Sequence, residues 1–241
     1  MAESAVAPRV EDTKGAGRLA LGGGLGLAAA LMTLVLPSLF LWLSLYAPGG
    51  FFSLGTTLVQ TLSILVLVGA ILFLLCLFTY RLAFGALRKV DSRFTAASVL
   101  CLIGSLGFLL LVIAAALLLG STSSLVQCMN GQPSHALSCL RSSSPLGAYT
   151  ALAGFWLGWL GGVGIVIGLS SAGRRFARGA LYGGAMFYAL LLVVLVGPFL
   201  SLIYPVPGGE YLLLVAPALA LLAPALVLAG SRIPPVTVRR A

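Results

Sequence analysis

The chain has 241 residues, of which 60% are hydrophobic and only 8% are charged. Soluble domains are typically about 45–50% apolar and about 25% charged, so this composition excludes both a water-soluble globular protein and a disordered chain. The formal net charge of +9 would suggest nucleic-acid binding in a soluble protein. In so hydrophobic a chain it instead accompanies an integral membrane protein, for which we expect no nucleic-acid partner.

Six uninterrupted apolar segments are each long enough to cross a membrane, which takes about 20 helical residues. None of them contains a charged residue or a histidine, and their length and lack of period-2 alternation favour helices over barrel strands. In chain order the predicted spans are 19–46, 58–80, 95–120, 146–170, 179–203 and 211–230. We therefore predict an all-α, polytopic bundle of six transmembrane helices over residues 19–230, between an N-terminal tail, 1–18, and a C-terminal tail, 231–241.

The basic residues predict the orientation of these spans, because Lys and Arg concentrate in loops kept on the cytoplasmic side. Every Lys and Arg except Arg141 falls in one of the tails or in the loops after the second and fourth spans. Arg141 lies in the loop 121–145, which we expect outside. We therefore predict a multi-pass protein of the cell membrane with both termini in the cytoplasm and its basic side near anionic headgroups.

The two basic loops are candidate surfaces for lipid headgroups or for a partner protein. In the segment 81–94, basic and apolar residues alternate irregularly, so it either extends the second span or lies along the headgroups. A turn that is solvated and touches lipid is the simpler interpretation. The basic residues of the two loops are Arg81, Arg88, Lys89, Arg93, Arg174, Arg175 and Arg178.

Two cysteines, Cys128 and Cys139, lie in the loop 121–145 with ten residues between them. On an oxidising side of the membrane such a pair favours a disulfide, which would contribute about 2–3 kcal/mol in the chain-entropy account. Free thiols are one alternative. A zinc site that uses His135 is another, but structural zinc takes four ligands and the loop offers no evident fourth. We therefore expect no metal.

The fourth span carries glycines at intervals near four residues, which place small side chains on one helix face. Such spacing lets another helix approach closely in lipid. Packing within the bundle is the favoured interpretation, and homo-oligomer formation through this span is the alternative. The glycines are Gly154, Gly158, Gly162, Gly164 and Gly168.

Prolines within the spans predict bends, because each removes a backbone hydrogen bond from its helix. They are Pro37, Pro198, Pro217 and Pro224. The last two lie two turns apart and nearly on one face of the sixth span. Bends of this kind line substrate paths in some transporters, but proline is also common in membrane helices without such a role.

Two short motifs carry a resemblance to a known family. They are FGALRKVDSRF, at 84–94, and GLSSAGRRF, at 168–176, and each leads into the next span. Over about residues 20–230 the chain resembles an uncharacterised archaeal family of polytopic membrane proteins, a domain of unknown function. The resemblance implies an archaeal origin and brings no assigned activity.

The spans lack the groups on which membrane chemistry usually depends. Proton and ion pathways generally need ionisable side chains within the membrane, and residues for intramembrane proteolysis, zinc hydrolysis or haem ligation are missing as well. We therefore expect no catalytic residues and no cofactor. The favoured hypothesis is a non-enzymatic membrane component or accessory subunit that binds protein or lipid. The alternative is a permease or channel subunit for a neutral or apolar solute, driven, if at all, by a separate cytoplasmic ATPase on the basic loops.

Overall fold

The computed structural model of the protein describes residues 10–36, 55–119, 144–201 and 212–231. These residues form six helices, and the described part of the chain contains no strand. The helices are α1 (Val10–Ala30, continued by the π-helical turn Leu31–Val35), α2 (Gly55–Arg88), α3 (Phe94–Leu119), α4 (Pro145–Phe176), α5 (Gly179–Ser201) and α6 (Leu212–Ser231). The predicted all-α fold is confirmed.

Five of these helices are long and apolar enough to cross a membrane. The apolar part of the sixth, Val215–Ser231, is shorter than the others. A chain with several such helices is a multi-pass integral membrane protein, because water-soluble folds do not expose so much apolar surface. The side of the membrane that each terminus faces stays a prediction.

The helices form a closed ring in which each packs against the next along the chain and α6 packs back against α1. Neighbours run antiparallel. Thus Gly15 of α1 lies against Leu87 near the end of α2, and Gly230 near the end of α6 lies against Leu181 near the start of α5. We call the end where α1, α3 and α5 begin and α2, α4 and α6 end the basic end.

The turns at the basic end are short and locally specified. Between α2 and α3, Asp91 Oδ1 accepts a hydrogen bond of 3.0 Å from the backbone N–H of Arg93. Between α4 and α5, Ala177 adopts a left-handed conformation with φ of 50°, and its N–H bonds back to the carbonyls of Gly173 and Arg174. Both turns therefore satisfy backbone groups that a helix end leaves open.

The α3–α4 interface brings two helix backbones into direct contact through glycine. A Cβ at Gly154 would lie 2.8 Å from the carbonyl oxygen of Gly107, and one at Gly164 would lie 2.7 Å from Leu100 Cβ. Gly158 lies against the ring of Phe108. The close contact predicted for the fourth span is thus made within this chain, and α3 covers this glycine face.

The other two predicted glycines contact different helices. Gly162 lies against Leu192 of α5, and Gly168 lies against the ring of Phe84 of α2. Gly161, which the spacing of four omits, faces the backbone of Gly104 on α3. Because an α-helix has 3.6 residues per turn, residues on a single face are spaced by three and four in alternation. Glycines spaced always by four therefore come to lie on different faces.

The half of the ring nearest the basic end is filled by large side chains. Tyr80 stacks on Phe84 with ring centroids 5.9 Å apart, and Phe84 stacks on Phe94 at 6.1 Å. Leu169 of α4 and Leu181 of α5 are fully buried in the same core. The interior of the ring is therefore closed at this end.

The remaining predicted positions divide by where they fall. Pro217 and Pro224 lie inside α6, and the bends expected at them stay a prediction. Pro198 lies within α5, and its side chain is not among those described. Pro37, Cys128 and Cys139 fall outside the described residues, and the two described cysteines, Cys76 and Cys101, are free and buried. The disulfide stays a prediction.

Candidate functional site

The ring encloses a partly open cavity of about 390 Å³. The cavity extends from the middle of the bundle into the half that is farther from the basic end. Its described walls come from α1 to α5, and nearly all of their surface is apolar. A cavity of about 150 Å³ lined by Leu, Ile and Phe stays dry and binds benzene. Ligand pockets generally measure about 300–1,000 Å³, so this cavity has the size of a binding site.

Small side chains create the space. Ala70, Ala114, Ala115 and Ala151 line the cavity from three helices, and none of them can fill the interior as the aromatic residues do at the basic end. The π-helical turn of α1 brings Thr33 and Leu34 to the wall. Single π-helical turns occur often at functional sites.

Aromatic side chains form the larger part of the wall. Phe73 of α2 and Phe108 of α3 stack with centroids 5.3 Å apart. Trp159 of α4 donates its indole N–H to the carbonyl oxygen of Leu192 of α5 at 3.2 Å. Because this bond joins two helices across the wall, it holds the indole in place beside the cavity.

Two buried tyrosine hydroxyls lie near the cavity. The Tyr188 side chain lines the cavity and is 5% exposed, with its hydroxyl buried beside Gly26 of α1, and Tyr80 is fully buried. The two hydroxyls are neighbours, yet neither makes a hydrogen bond of good geometry within the described part of the chain. A bond from one to the other would satisfy only one of the two protons. An unsatisfied buried hydroxyl costs about 1–3 kcal/mol, so this pair has unused hydrogen-bonding capacity.

The described residues contain no group of three or more His, Cys, Asp or Glu side chains that could hold a metal ion. Thr33 Oγ1 donates to the carbonyl of Ala29 at 2.8 Å, and the Cys76 thiol donates to the carbonyl of Gly22 at 3.3 Å. The polar atoms of these two side chains are thus engaged by helix backbone. The Tyr188 side chain lines the cavity, but its hydroxyl is buried, so the described wall presents an almost wholly apolar surface to a ligand.

At the basic end, the structure separates the predicted basic residues into two groups. Arg81, Arg88 and Lys89 line a pocket of about 360 Å³ together with Lys14 and Arg18 of α1. This pocket lies between the ends of α1 and α2, and Ser98 of α3 reaches it as well. The segment 81–88 extends α2, which is one of the two arrangements expected from the sequence.

The other basic residues make separate contacts. Arg175 forms an ion pair with Asp12, with Nε 2.9 Å from Oδ1 and Nη2 3.1 Å from Oδ2. Arg174 bonds to the hydroxyl of Tyr182, and Arg178 and Arg93 lie in the two turns. The Asp12 side chain is only 9% exposed, and this partly buried pair ties α1 to α4 at the basic end.

Sequence reasoning missed Tyr80, Tyr188, Asp12, Lys14 and Arg18 as parts of sites. The tyrosines are ordinary residues of apolar spans, and nothing in their spacing marks them. The other three lie before the first apolar segment and were assigned to the tail, whereas α1 begins at Val10. The available signal for these three residues was that they are charged and lie close in sequence to the first span, on the same predicted side of the membrane as the other basic segments.

Comparison with known proteins adds no functional information. No protein-family model matches this chain, and no curated protein or solved structure is significantly similar to it. Membership of the family that the sequence resembles therefore stays a prediction. The function must be argued from the cavity and its surroundings.

Proposed function

We propose that this membrane protein is a non-enzymatic binding protein for an uncharged, largely apolar ligand, such as a lipid chain, held in the central cavity. The observation that carries the proposal is the cavity of about 390 Å³ with nearly wholly apolar walls. On the distribution of basic residues, we place the protein in the cell membrane with the basic end in the cytoplasm.

The chemistry of the walls favours an uncharged ligand. No charged side chain of the described residues lines the cavity, and an unpaired ion would be strongly disfavoured in such surroundings. Burial of apolar ligand surface against Phe73, Phe108 and Trp159 would instead be favourable, at about 25 cal/mol per Å² before the losses of binding.

The unsatisfied Tyr188 hydroxyl is the basis for a narrower ligand class. This hydroxyl is buried, and a small movement of the Tyr188 side chain would let a hydroxyl or carbonyl group at the end of an apolar chain bond to it. Binding sites commonly combine apolar walls with a few polar groups that orient the ligand. We therefore favour a long-chain alcohol, ketone or ester over a pure hydrocarbon.

Photolabelling tests this proposal. The purified protein in neutral detergent is irradiated with a long-chain fatty alcohol that carries a diazirine near the end of its chain, and labelled peptides are mapped by mass spectrometry. We expect saturable labelling of the peptides that carry the cavity residues. Competition by unlabelled alcohol should remove it.

Two adjacent alanines supply a matched pair of variants. Ala115 lines the cavity, whereas Ala116 faces outward. Ala115→Phe fills the cavity and should abolish saturable labelling, while Ala116→Phe should leave it unchanged. Equal labelling in both variants, or labelling confined to outward-facing residues, would show that the cavity is not the binding site.

Transport of the same class of ligand is the second candidate function. The observation that favours it is the asymmetry of the ring, with a partly open cavity in one half and a closed aromatic core in the other. A carrier with alternating access shows this arrangement in one of its states. Flux of a fluorescent apolar alcohol into proteoliposomes, abolished by Ala115→Phe and retained in Ala116→Phe, would distinguish transport from binding alone.

A further inference from the structure

A second cavity, separate from the apolar one, lies at the basic end between α1, α2 and α3. Five cationic side chains line this basic pocket, namely Lys14, Arg18, Arg81, Arg88 and Lys89. Among the described residues no carboxylate lines it. Asp12 forms an ion pair with Arg175, and Asp91 caps the turn after α2.

Two of the arginines are held in place by contacts that do not neutralise their charge. Arg18 Nη1 donates to the carbonyl oxygen of Leu82 at 3.0 Å. The guanidinium of Arg81 lies over the ring of Phe78, 5.7 Å from its centroid. Both contacts orient a guanidinium without neutralising it, and guanidinium N–H groups beyond those used remain to donate to a ligand.

The floor of the basic pocket is open because Gly85 forms part of it. A Cβ built at Gly85 would meet only the hydroxyl of Ser98, at 3.8 Å. Ala86 continues the same floor. The volume of about 360 Å³ thus depends on small residues at the place where the cationic side chains converge.

The surroundings of the pocket indicate the source of its ligand. Leu82 lines it and is 40% exposed, and Phe78, one turn further into α2, is 44% exposed. Ile71 and Leu75 continue this apolar face of α2 away from the basic end. In a membrane protein such a face contacts lipid tails. The pocket lies at the end of this face, at the depth where the headgroup of a lipid with its tails on α2 would be.

We propose that the basic pocket binds the phosphate group of an anionic phospholipid, whose chains lie along the exposed face of α2. Guanidinium groups match phosphate oxygens in geometry and donate charge-assisted hydrogen bonds to them. Binding of an anion also relieves the mutual repulsion of Arg18, Arg81 and Arg88, which line one pocket. The site is independent of the apolar cavity and of its ligand.

Native mass spectrometry in neutral detergent tests this proposal. The purified protein is titrated with dioleoyl phosphatidylglycerol, with dioleoyl phosphatidylcholine and, in a separate arm, with inorganic pyrophosphate. We expect one tightly held phosphatidylglycerol per chain, much weaker binding of phosphatidylcholine, and pyrophosphate binding only at far higher concentration.

Variants that remove one charge distinguish lipid binding in the pocket from a general attraction of the basic end for anionic lipid. Arg88 lines the pocket, whereas Arg93 is an exposed residue of the same turn that does not line it. Arg88→Gln should weaken phosphatidylglycerol binding about tenfold, which is typical for loss of a hydrogen bond to a charged group. Arg93→Gln should change it little, although it removes the same charge from the same end.

A filling variant keeps every charge. Gly85→Leu occupies the floor and should abolish the bound lipid, whereas Gly24→Leu, at a glycine that also has open space beside it, should not. Helical circular dichroism checks that each variant folds. Equal weakening by Arg88→Gln and Arg93→Gln, or full binding by Gly85→Leu, would overturn the site. Tight binding of pyrophosphate without phosphatidylglycerol would overturn the lipid as its ligand.

Discussion

Substitution of Gly161 by alanine tests the backbone contact on which the α3–α4 interface rests. A Cβ at Gly161 would lie 2.5 Å from the Cα of Gly104 and 3.3 Å from both terminal carbons of Leu77. Ordinary contacts between carbon atoms are about 3.5–4.0 Å, so the two helices would have to separate by about 1 Å. The Leu77 side chain can rotate away, but the Gly104 backbone cannot.

The sign of the effect follows from two opposing terms. Overpacking of a well-packed interface costs about 1–3 kcal/mol, and helix separation would also loosen the contacts at Gly154, Gly158 and Gly164. Alanine in place of glycine stabilises a helix by up to about 1 kcal/mol. We therefore expect Gly161→Ala to lower the free energy of unfolding by about 1–2 kcal/mol.

Gly24→Ala is the matched control, because nothing lies within 4 Å of a Cβ at that position. Only the helix-propensity term applies there, so we expect a gain of up to about 1 kcal/mol. The measurement is the free energy of unfolding from titration with sodium dodecyl sulfate in mixed micelles, followed by circular dichroism. A gain for Gly161→Ala equal to that for Gly24→Ala would refute the close contact.

Three further predictions follow from individual side chains. Asp12→Asn and Arg175→Gln should each lower stability by about 1–3 kcal/mol, because each breaks the two-bond ion pair between a buried carboxylate and a partly buried guanidinium. The double variant should lose less than the sum of the two, and an additive result in the double-mutant cycle would argue against the pair. Tyr188→Phe should leave the ligand-free protein equally stable or up to about 1 kcal/mol more stable, while it weakens binding of a long-chain alcohol more than that of the matching alkane; equal effects on both ligands would remove the hydroxyl from the site. Trp159→Phe should lower the thermal midpoint by an amount equivalent to about 1 kcal/mol, through loss of the bond to Leu192, and an unchanged midpoint would show that this bond does not stabilise the wall.

The helical fold could be predicted because its causes are local. An apolar segment in lipid must satisfy its backbone hydrogen bonds internally, and a helix does so within the segment itself. The boundaries were harder, as α1 illustrates: it begins at Val10 rather than at Leu19. Charged residues look like a solvated tail in a hydropathy scan, but Asp12 and Arg18 bond to partners on α4 and α2. Those partners are distant in sequence, so no local signal announces them.

The sites could be predicted only in part. The sequence pointed to Arg81, Arg88 and Lys89 because basic residues cluster visibly, but it grouped them with Arg93 and Arg174, which lie elsewhere. It gave no sign of the apolar cavity, because Ala70 and Ala115 look the same whether they line a space or pack against a neighbour. Whether such an alanine lines a cavity or packs against a neighbour depends on the distance between its helix and the facing helix.

The sequence alone determined that this protein is a multi-pass helical membrane protein with close glycine contacts in its fourth span. Composition, length of apolar segments and glycine spacing suffice for that, since each acts within one helix or along one face. Only the tertiary structure decided that the helices close into a ring, that the described residues fill one half of the ring and leave a cavity in the other, and that cationic side chains from α1 and α2 share a pocket. These features arise from contacts between residues far apart in the chain, and uniformly apolar helices carry no pattern that specifies which faces meet.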